Sequence, residues 1–280
     1  MQKHNEGRFW LLELLAWWEG QIHPVQLAEH WQVTRQHASK LLKQWNNTHP
    51  GALEYLPQEK HYRTTKAFVP QRINGDVVEY LNWSTLGIQP RFATDAERHQ
   101  PLPHEILSHP PRHVTPQLIR PLIRAIREQK RLDVDYVSLS NPSHQGRIIV
   151  PHHFVNNGQR WHLRAWCEKS YDYRDFVLSR FRGEPELMDY SEKGAAQDHA
   201  WNTLVSVILQ PDPRLTPAQQ EVIEQDYLMQ NGQLHITTRA CLVPYLLRGL
   251  QIHPHTQEGE PEAQQLVIVN KSDIQPWLFG

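Results

Sequence analysis

Arg35, Gln36, His37, Ser39, Lys40, Lys43 and Gln44 carry the chemistry of a surface that meets nucleic acid. They supply amide, imidazole and hydroxyl groups of the kind that read base edges, and cations that neutralise phosphates. No acidic residue interrupts the stretch. Thr34, just before it, is a natural helix cap, and the open N–H groups of a helix start favour a nearby phosphate. A second cationic set, Lys60, Arg63 and Lys66, follows in and around a strand-like run. The bland alternative for both sets is the solvated face of a helical protein-interaction module.

A third set is spread over the middle of the chain: Tyr136, Ser138, His152, His162, Arg164, Arg174, Arg180 and Arg182. Arginines beside Tyr, Ser and His suit an anionic ligand, because a guanidinium grips phosphate through two parallel hydrogen bonds. The same arginines could instead pair with Asp133, Asp135, Asp172 or Asp175 and hold the fold together. Both readings stand at this level.

Other chemistry is weakly represented. The chain has 18 histidines, so metal binding has to be weighed. His152 and His153 are adjacent and would point to opposite faces of a strand. His253 and His255 have no third ligand in register, so no metal is expected. Cys167 and Cys241 form no CxxC pair, which argues against a zinc knuckle and a disulfide framework and fits a reducing cytoplasm. No GxSxG, phosphate-binding loop, GxGxxG or carboxylate pair is present, so neither an enzyme nor a cofactor is expected.

The elements that must position these residues can be read from periodicity. Phe9, Leu12, Leu15 and Ala16 recur at helical spacing and predict a helix over 8–18, ended by Gly20. A second helix is predicted over 25–31, with Pro24 pre-set for its start. A third spans 35–45, with Ala38, Leu41, Leu42 and Trp45 as its inward stripe. Strand-like runs at 53–56 and 61–68 follow, joined by a turn at 57–60. Helix, helix, turn, helix and hairpin is the order of a winged helix-turn-helix, whose third helix enters the major groove. Its reach is residues 1–69.

Prolines at 70, 90, 101, 103, 110 and 111 make 70–114 a connector, with one short helix at 76–82. Thr115 and Pro116 open a helix over 116–128. Strands are predicted at 132–137, 147–154, 160–167 and 175–181, with Asn157-Gly158 as a hairpin turn. On the third of these, Trp161, Leu163 and Ala165 share a core face. His162, Arg164 and Trp166 share the other, suited to an exposed pocket. The remaining chain alternates strand, helix, strand, helix and strand at 203–209, 217–227, 233–238, 242–249 and 265–270.

At 280 residues the chain has room for two or three domains, and 39% hydrophobic content is enough for packed cores. No apolar run approaches the length of a membrane span, and the N-terminus does not read as a signal peptide. The net charge of −1 hides a strong asymmetry. Residues 112–182 carry 13 Lys+Arg against 6 Asp+Glu, whereas 184–280 carry 5 against 13. Residues 1–70 carry only 8 against 6. Since phosphate neutralisation supplies much of the affinity for DNA, one such module would bind weakly and a pair would repair the deficit.

The run from Gln159 to Cys167 resembles the signature strand of WYL domains, named for a Trp-Tyr-Leu triplet. Here the triplet is Trp161-His162-Leu163, with His in place of the central Tyr. Tyr136 and Ser138 at the end of a first strand agree, as does Pro151 before a Phe-containing strand end. Arg174, Phe176, Leu178 and Arg180 match a later family strand. Val177 and Ser179 depart from it, standing where Arg and Asp are common. The resemblance covers about 115–185. It implies a small Sm-like or SH3-like β-barrel that follows a winged helix-turn-helix in bacterial regulators and senses a nucleotide or nucleic-acid-like ligand. The run from Thr238 to Arg248, with Arg239, Tyr245 and Leu246, is similar to an extension in regulators of BREX and CBASS phage-defence clusters, where it serves in dimerisation.

The expected fold is therefore α+β and multidomain: a winged helix-turn-helix at 1–69, a connector at 70–114, a ligand-sensing WYL barrel at 115–195 and an α/β dimerisation domain at 196–280. The expected function is a cytoplasmic, homodimeric transcriptional regulator, more a repressor than an activator, that binds an inverted-repeat operator of double-stranded DNA. A single-strand nucleic-acid binder using the basic barrel is the alternative.

Overall fold

A computed structural model describes residues 5–89, 110, 112–139, 142–143, 145–256 and 259–278. Nearly half of the expected connector, including Pro90, Pro101, Pro103 and Pro111, lies outside the described residues. The chain forms two compact units, Met1–Ile149 with Val177–Tyr190, and Val150–Phe176 with Ser191–Gly280.

In the first unit, helix α1 runs Glu6–Glu19 and ends at Gly20, whose φ of 76° closes the helix with its N–H on the Ala16 carbonyl. The sequence predicts one apolar face for this helix, but almost its whole circumference is buried, Trp10, Leu11, Leu14 and Trp18 included. It also buries Glu13, which is matched by the N–H groups of Gln71 and Arg72 and by the Arg72 guanidinium at 2.6 Å. A buried carboxylate needs such partners, since leaving one unpaired is strongly destabilising.

Strand β1 (Gln21–Ile22) leads into α2 (Pro24–Trp31). Gln32, at φ 52°, makes the turn to α3 (Arg35–Thr48). The wing is β2 (Leu53–Leu56) and β3 (His61–Thr64), in a sheet ordered β1-β3-β2. The second wing strand is shorter than its apolar pattern suggests. Thr65 turns away, its hydroxyl donating to the Gly51 carbonyl, and Phe68 is buried against Trp17 and Trp45.

Helix α4 (Val77–Leu86) is capped by Asp76 and extends the expected short helix. Helix α5 (Pro116–Glu128) is capped by Thr115 as its sequence predicts, and it packs on α1. Strand β4 (Lys130–Tyr136) buries Leu132, Val134 and Tyr136 and exposes Asp133 and Asp135.

The central strands are β5 (Gln145–Asn156), β6 (Trp161–Cys167), β7 (Asp172–Val177) and β8 (Phe181–Tyr190). Their sheet is ordered β7-β6-β5-β4-β8, with β7 and β8 at its edges. Among the described residues the pairings do not close it, where the family resemblance implies a small Sm-like or SH3-like barrel. β8 went unread in the sequence because Gly183 and Pro185 and its charges argue against a strand. Both residues are tolerated at a sheet edge, and Gly183 sits at φ 64° within an irregular stretch of the β4–β8 register.

In the second unit, α6 (His199–Asn202) precedes β9 (Leu204–Pro211), α7 (Pro217–Asp226), β10 (Leu234–Arg239), α8 (Val243–Gly249), β11 (Leu266–Ile268) and α9 (Lys271–Ile274). The sheet is ordered β10-β9-β11 and antiparallel. Val207, Leu209, Ile223, Val243, Leu247 and Leu266 form its core. The alternation of strand and helix is that read from the sequence. Among the described residues no helix is long and apolar enough to cross a membrane.

Candidate nucleic-acid interface and the central polar network

Helix α3 is positioned by its own stripe: Ala38, Leu41, Leu42 and Trp45 are all buried. Burying a side chain of this size contributes about 1.5–3 kcal/mol, so the opposite face is fixed outward. Thr34 Oγ1 accepts from the His37 N–H at 3.3 Å and leaves the other first-turn N–H groups open. The helix runs three residues beyond its expected end. Arg35, Gln36, Ser39, Lys40, Lys43, Gln44, Asn47 and Thr48 line one open groove. Asn47 and Thr48 were missed in the sequence because the inward stripe stops at Trp45, although the four-residue spacing from Lys43 and Gln44 points to them. His37 faces a second groove with Thr34 and Glu29. Among the described residues no acidic side chain pairs with Arg35, Lys40 or Lys43.

The wing is less basic than its sequence suggests. Lys60, Arg63 and Lys66 are all exposed. Arg63, however, faces Glu54 across the hairpin and donates to it at 2.7 Å. Glu59 neighbours Lys60 in sequence and lies 3.5 Å from His61.

A clasp ties α5 to the end of α1. Arg120 donates through Nε and Nη2 to the Trp17 carbonyl, at 3.1 and 2.8 Å, and through Nη2 to the Ala16 carbonyl. A cation suits a helix C-terminus, where carbonyls lack partners. Burial lowers the Arg120 pKa from its ordinary value. Arg127 grips Glu19 with both Nη atoms, at 2.7 and 2.9 Å, and Tyr80 donates to the same carboxylate. The hydrogen bond to Glu19 raises the Arg127 pKa, while burial and then Glu19 raise that of Tyr80. A Cβ on Gly20 would come within 3.0 Å of the Arg120 side chain.

The eight residues of the third set fall four to each unit. In the first, Tyr136 is buried, accepts from the Val177 N–H at 3.0 Å and lies under the Arg147 guanidinium. Ser138 and Arg180 are half-buried. Arg182 is exposed and donates to the carbonyls of Ser179 and Phe181.

In the second unit, His152, His162 and Arg164 are buried, and Arg174 is exposed beside Asp172. The expected exposed face on β6 is therefore absent: His162 is 2% and Arg164 6% accessible, because both faces of this strand are covered. Arg164 donates to Asp198 through Nε at 2.7 Å and Nη2 at 3.1 Å, and to Asp175 at 3.3 Å. His152 Nε2 reaches Asp198 at 3.2 Å, the Trp201 N–H donates to Asp198, and Tyr245 donates to Asp175 at 2.9 Å.

Burial opposes ionisation of Asp198, but the hydrogen bonds from His152 and Arg164 outweigh it and hold the carboxyl well below the usual range. Burial raises the pKa of Asp175. Burial, then His152 and Arg239, push His153 down to about 4. Asp198 and Tyr245 were not anticipated, because nothing near them in sequence signals a partner on another strand. Among the described residues no group of three or more His, Cys, Asp or Glu is placed to hold a metal ion.

Family models match three stretches. A winged helix-turn-helix domain of BrxR transcriptional regulators matches 4–85, a WYL domain matches 117–183, and a BrxR C-terminal dimerization domain matches 204–274. The DNA-binding transcriptional repressor CapW of Escherichia coli (strain KTE188) is 34% identical over 281 residues, covering 98% of this chain and 94% of its own. The Pseudomonas aeruginosa CapW is 31% identical over 271 residues, covering 96% and 90%. A solved structure, the proteasome accessory factor PafBC of Arthrobacter aurescens, spans 98% of this chain and 48% of its own. At a TM-score of 0.27 and 17% identity it carries no argument about the fold. Full-length similarity at this identity, together with the three family-model matches, places the chain in the CapW family of WYL-domain transcriptional regulators.

Proposed function

We propose that this chain is a cytoplasmic DNA-binding transcriptional repressor of a phage-defence operon. It binds an inverted repeat as a homodimer and answers to a nucleotide or nucleic-acid-like ligand held by its WYL domain. The observation that carries this reading is the outward face of α3, polar and cationic along its length, without an acid, on a helix fixed by a buried stripe. Similarity to CapW repressors over nearly the whole chain supports the sign of regulation.

The working division is DNA binding at 1–69, connector at 70–114, sensing at 115–195 and dimerisation at 196–280. Thr34, Arg35, Gln36, His37, Ser39, Lys40, Lys43 and Gln44 meet DNA, with Lys60 and Lys66 beside them. The charge of residues 1–70, 8 Lys+Arg against 6 Asp+Glu, favours two heads acting together. The match to a dimerization domain supplies the means.

For the sensor, Tyr136, Ser138, Arg180 and Arg182 are the remaining candidates to meet an anion, since Arg164 is occupied by Asp198 and Asp175. The clasp of Arg120 and Arg127 on α1 gives a route by which strain in the sensor reaches the DNA-binding head. A ligand shifts the equilibrium only as far as it distinguishes the two states. Single-strand binding by the basic segment is not favoured, because Arg120, Arg124, Arg127, Lys130, Arg131 and Arg164 are engaged within the protein.

The test is a mobility shift of the DNA upstream of the protein's own gene. Wild-type protein is expected to shift it, and Lys40→Ala with Lys43→Ala to abolish the shift at physiological salt. Unchanged binding by the double variant sinks the assignment of α3. Light scattering of the purified chain reads the oligomeric state directly, and a monomer overturns the two-headed arrangement.

A further inference from the structure

The wing presents two tyrosines where cations were expected. β2 and β3 pair so that Tyr55 stands directly opposite Tyr62 and Glu54 opposite Arg63. Tyr55 is 47% exposed, and the two rings sit 4.9 Å apart at 49°. Among the described residues neither hydroxyl has a hydrogen-bond partner. On the wing strands the facing charges cancel, because Glu54 is bonded to Arg63.

We propose that the Tyr55–Tyr62 pair is a contact of the wing strands with DNA, its hydroxyls donating to phosphate oxygens and its rings lying against the sugars, so that the strands add a neutral grip beside the cations Lys60 and Lys66. The inference rests on α3 being the DNA-facing helix, because the wing follows α3 within one module and flanks the groove that a recognition helix enters. Tyrosine hydroxyls are common donors to DNA phosphates. Burial, and then Tyr55, raise the Tyr62 pKa, so it stays a donor at any physiological pH. A protein partner fits less well. Two half-exposed rings offer on the order of 200 Å², whereas a stable protein interface takes about 800 Å² from each side.

A neutral contact has a distinctive signature. Each phosphate-bound cation adds about 0.9 to the slope of log affinity against log salt, and a tyrosine adds none. The experiment measures fluorescence anisotropy of the full chain on a duplex from its own upstream region, across a salt series. Tyr55→Ala with Tyr62→Ala is expected to weaken binding about tenfold at every salt with the slope unchanged. Arg63→Ala should stay within about twofold of wild type, and Lys43→Ala should lower the slope by about 1.

Tyr55→Phe with Tyr62→Phe keeps the rings and the fold, and is expected to weaken binding about threefold. Wild-type affinity in both tyrosine variants, with Lys43→Ala impaired, overturns the wing contact alone. Wild-type affinity in Lys43→Ala as well overturns the reading of α3 on which it rests. A tyrosine variant with normal DNA affinity that self-associates less makes the wing a protein surface and overturns the proposal.

Discussion

Helix α3 and the network around Arg164 use similar side chains in opposite ways. On α3, Arg35, Lys40 and Lys43 are exposed and, among the described residues, pair with no acid. In the second unit, Arg164 is buried between Asp198 and Asp175, and His152 completes the same cluster. A cation in water without a partner costs the protein little and is free to meet a phosphate. A cation in the interior must be matched where it stands, because the low dielectric magnifies both attraction and penalty. Arginine in a basic stretch is therefore no evidence of a binding site until its burial is known.

The comparison breaks most visibly at Asp198. Asp198→Ala leaves Arg164 and His152 buried with half their partners gone, and is expected to cost about 3–5 kcal/mol in urea unfolding. If stability drops by less than about 1 kcal/mol, the network is not what holds this region. The opposite behaviour is expected on α3. Lys40→Ala with Lys43→Ala should leave stability within about 0.5 kcal/mol yet lower the salt slope of DNA binding by about 2. A loss of stability there would mean that the two lysines serve the fold.

Between these extremes lies Gly20, at the α1–α5 clasp. Gly20→Ala forces a side chain into φ 76° and against Arg120, and should cost about 1–3 kcal/mol. Thermal melting of this variant beside Arg120→Ala, with the double variant, reads whether the two effects are coupled; additive losses would separate the turn from the clasp.

The network also has a pH signature. His153 has its folded pKa lowered to about 4, from about 6.5 unfolded. Its contribution is complete above the unfolded value and is lost as pH falls through the folded one, between about pH 6.5 and 4. After discounting for its partial exposure the loss is about 1–2 kcal/mol. Melts of wild type and His153→Gln across this range should converge at low pH, and parallel curves would contradict it.

The smallest effect is expected at Thr34. Thr34→Ala removes the cap on α3 and should cost about 1 kcal/mol, with a small loss of DNA affinity as the helix start frays.

The sequence by itself determined most of the local elements, β8 excepted, and the outward face of α3. The cap, the stripe and the polar row of that helix lie within 15 residues, and helix geometry turns spacing into direction without help from the rest of the chain. The cap of α5 and the strand–helix alternation of the C-terminal region were legible for the same reason.

Tertiary structure decided the fate of the other polar residues. Arg164 is held by Asp198, 34 residues away, Arg127 by Glu19, 108 residues away, and Arg63 by Glu54 across a hairpin. Charge and periodicity are properties of neighbours along the chain. Whether a charge is spent inside the protein or left for a partner depends on which distant strand or helix arrives beside it.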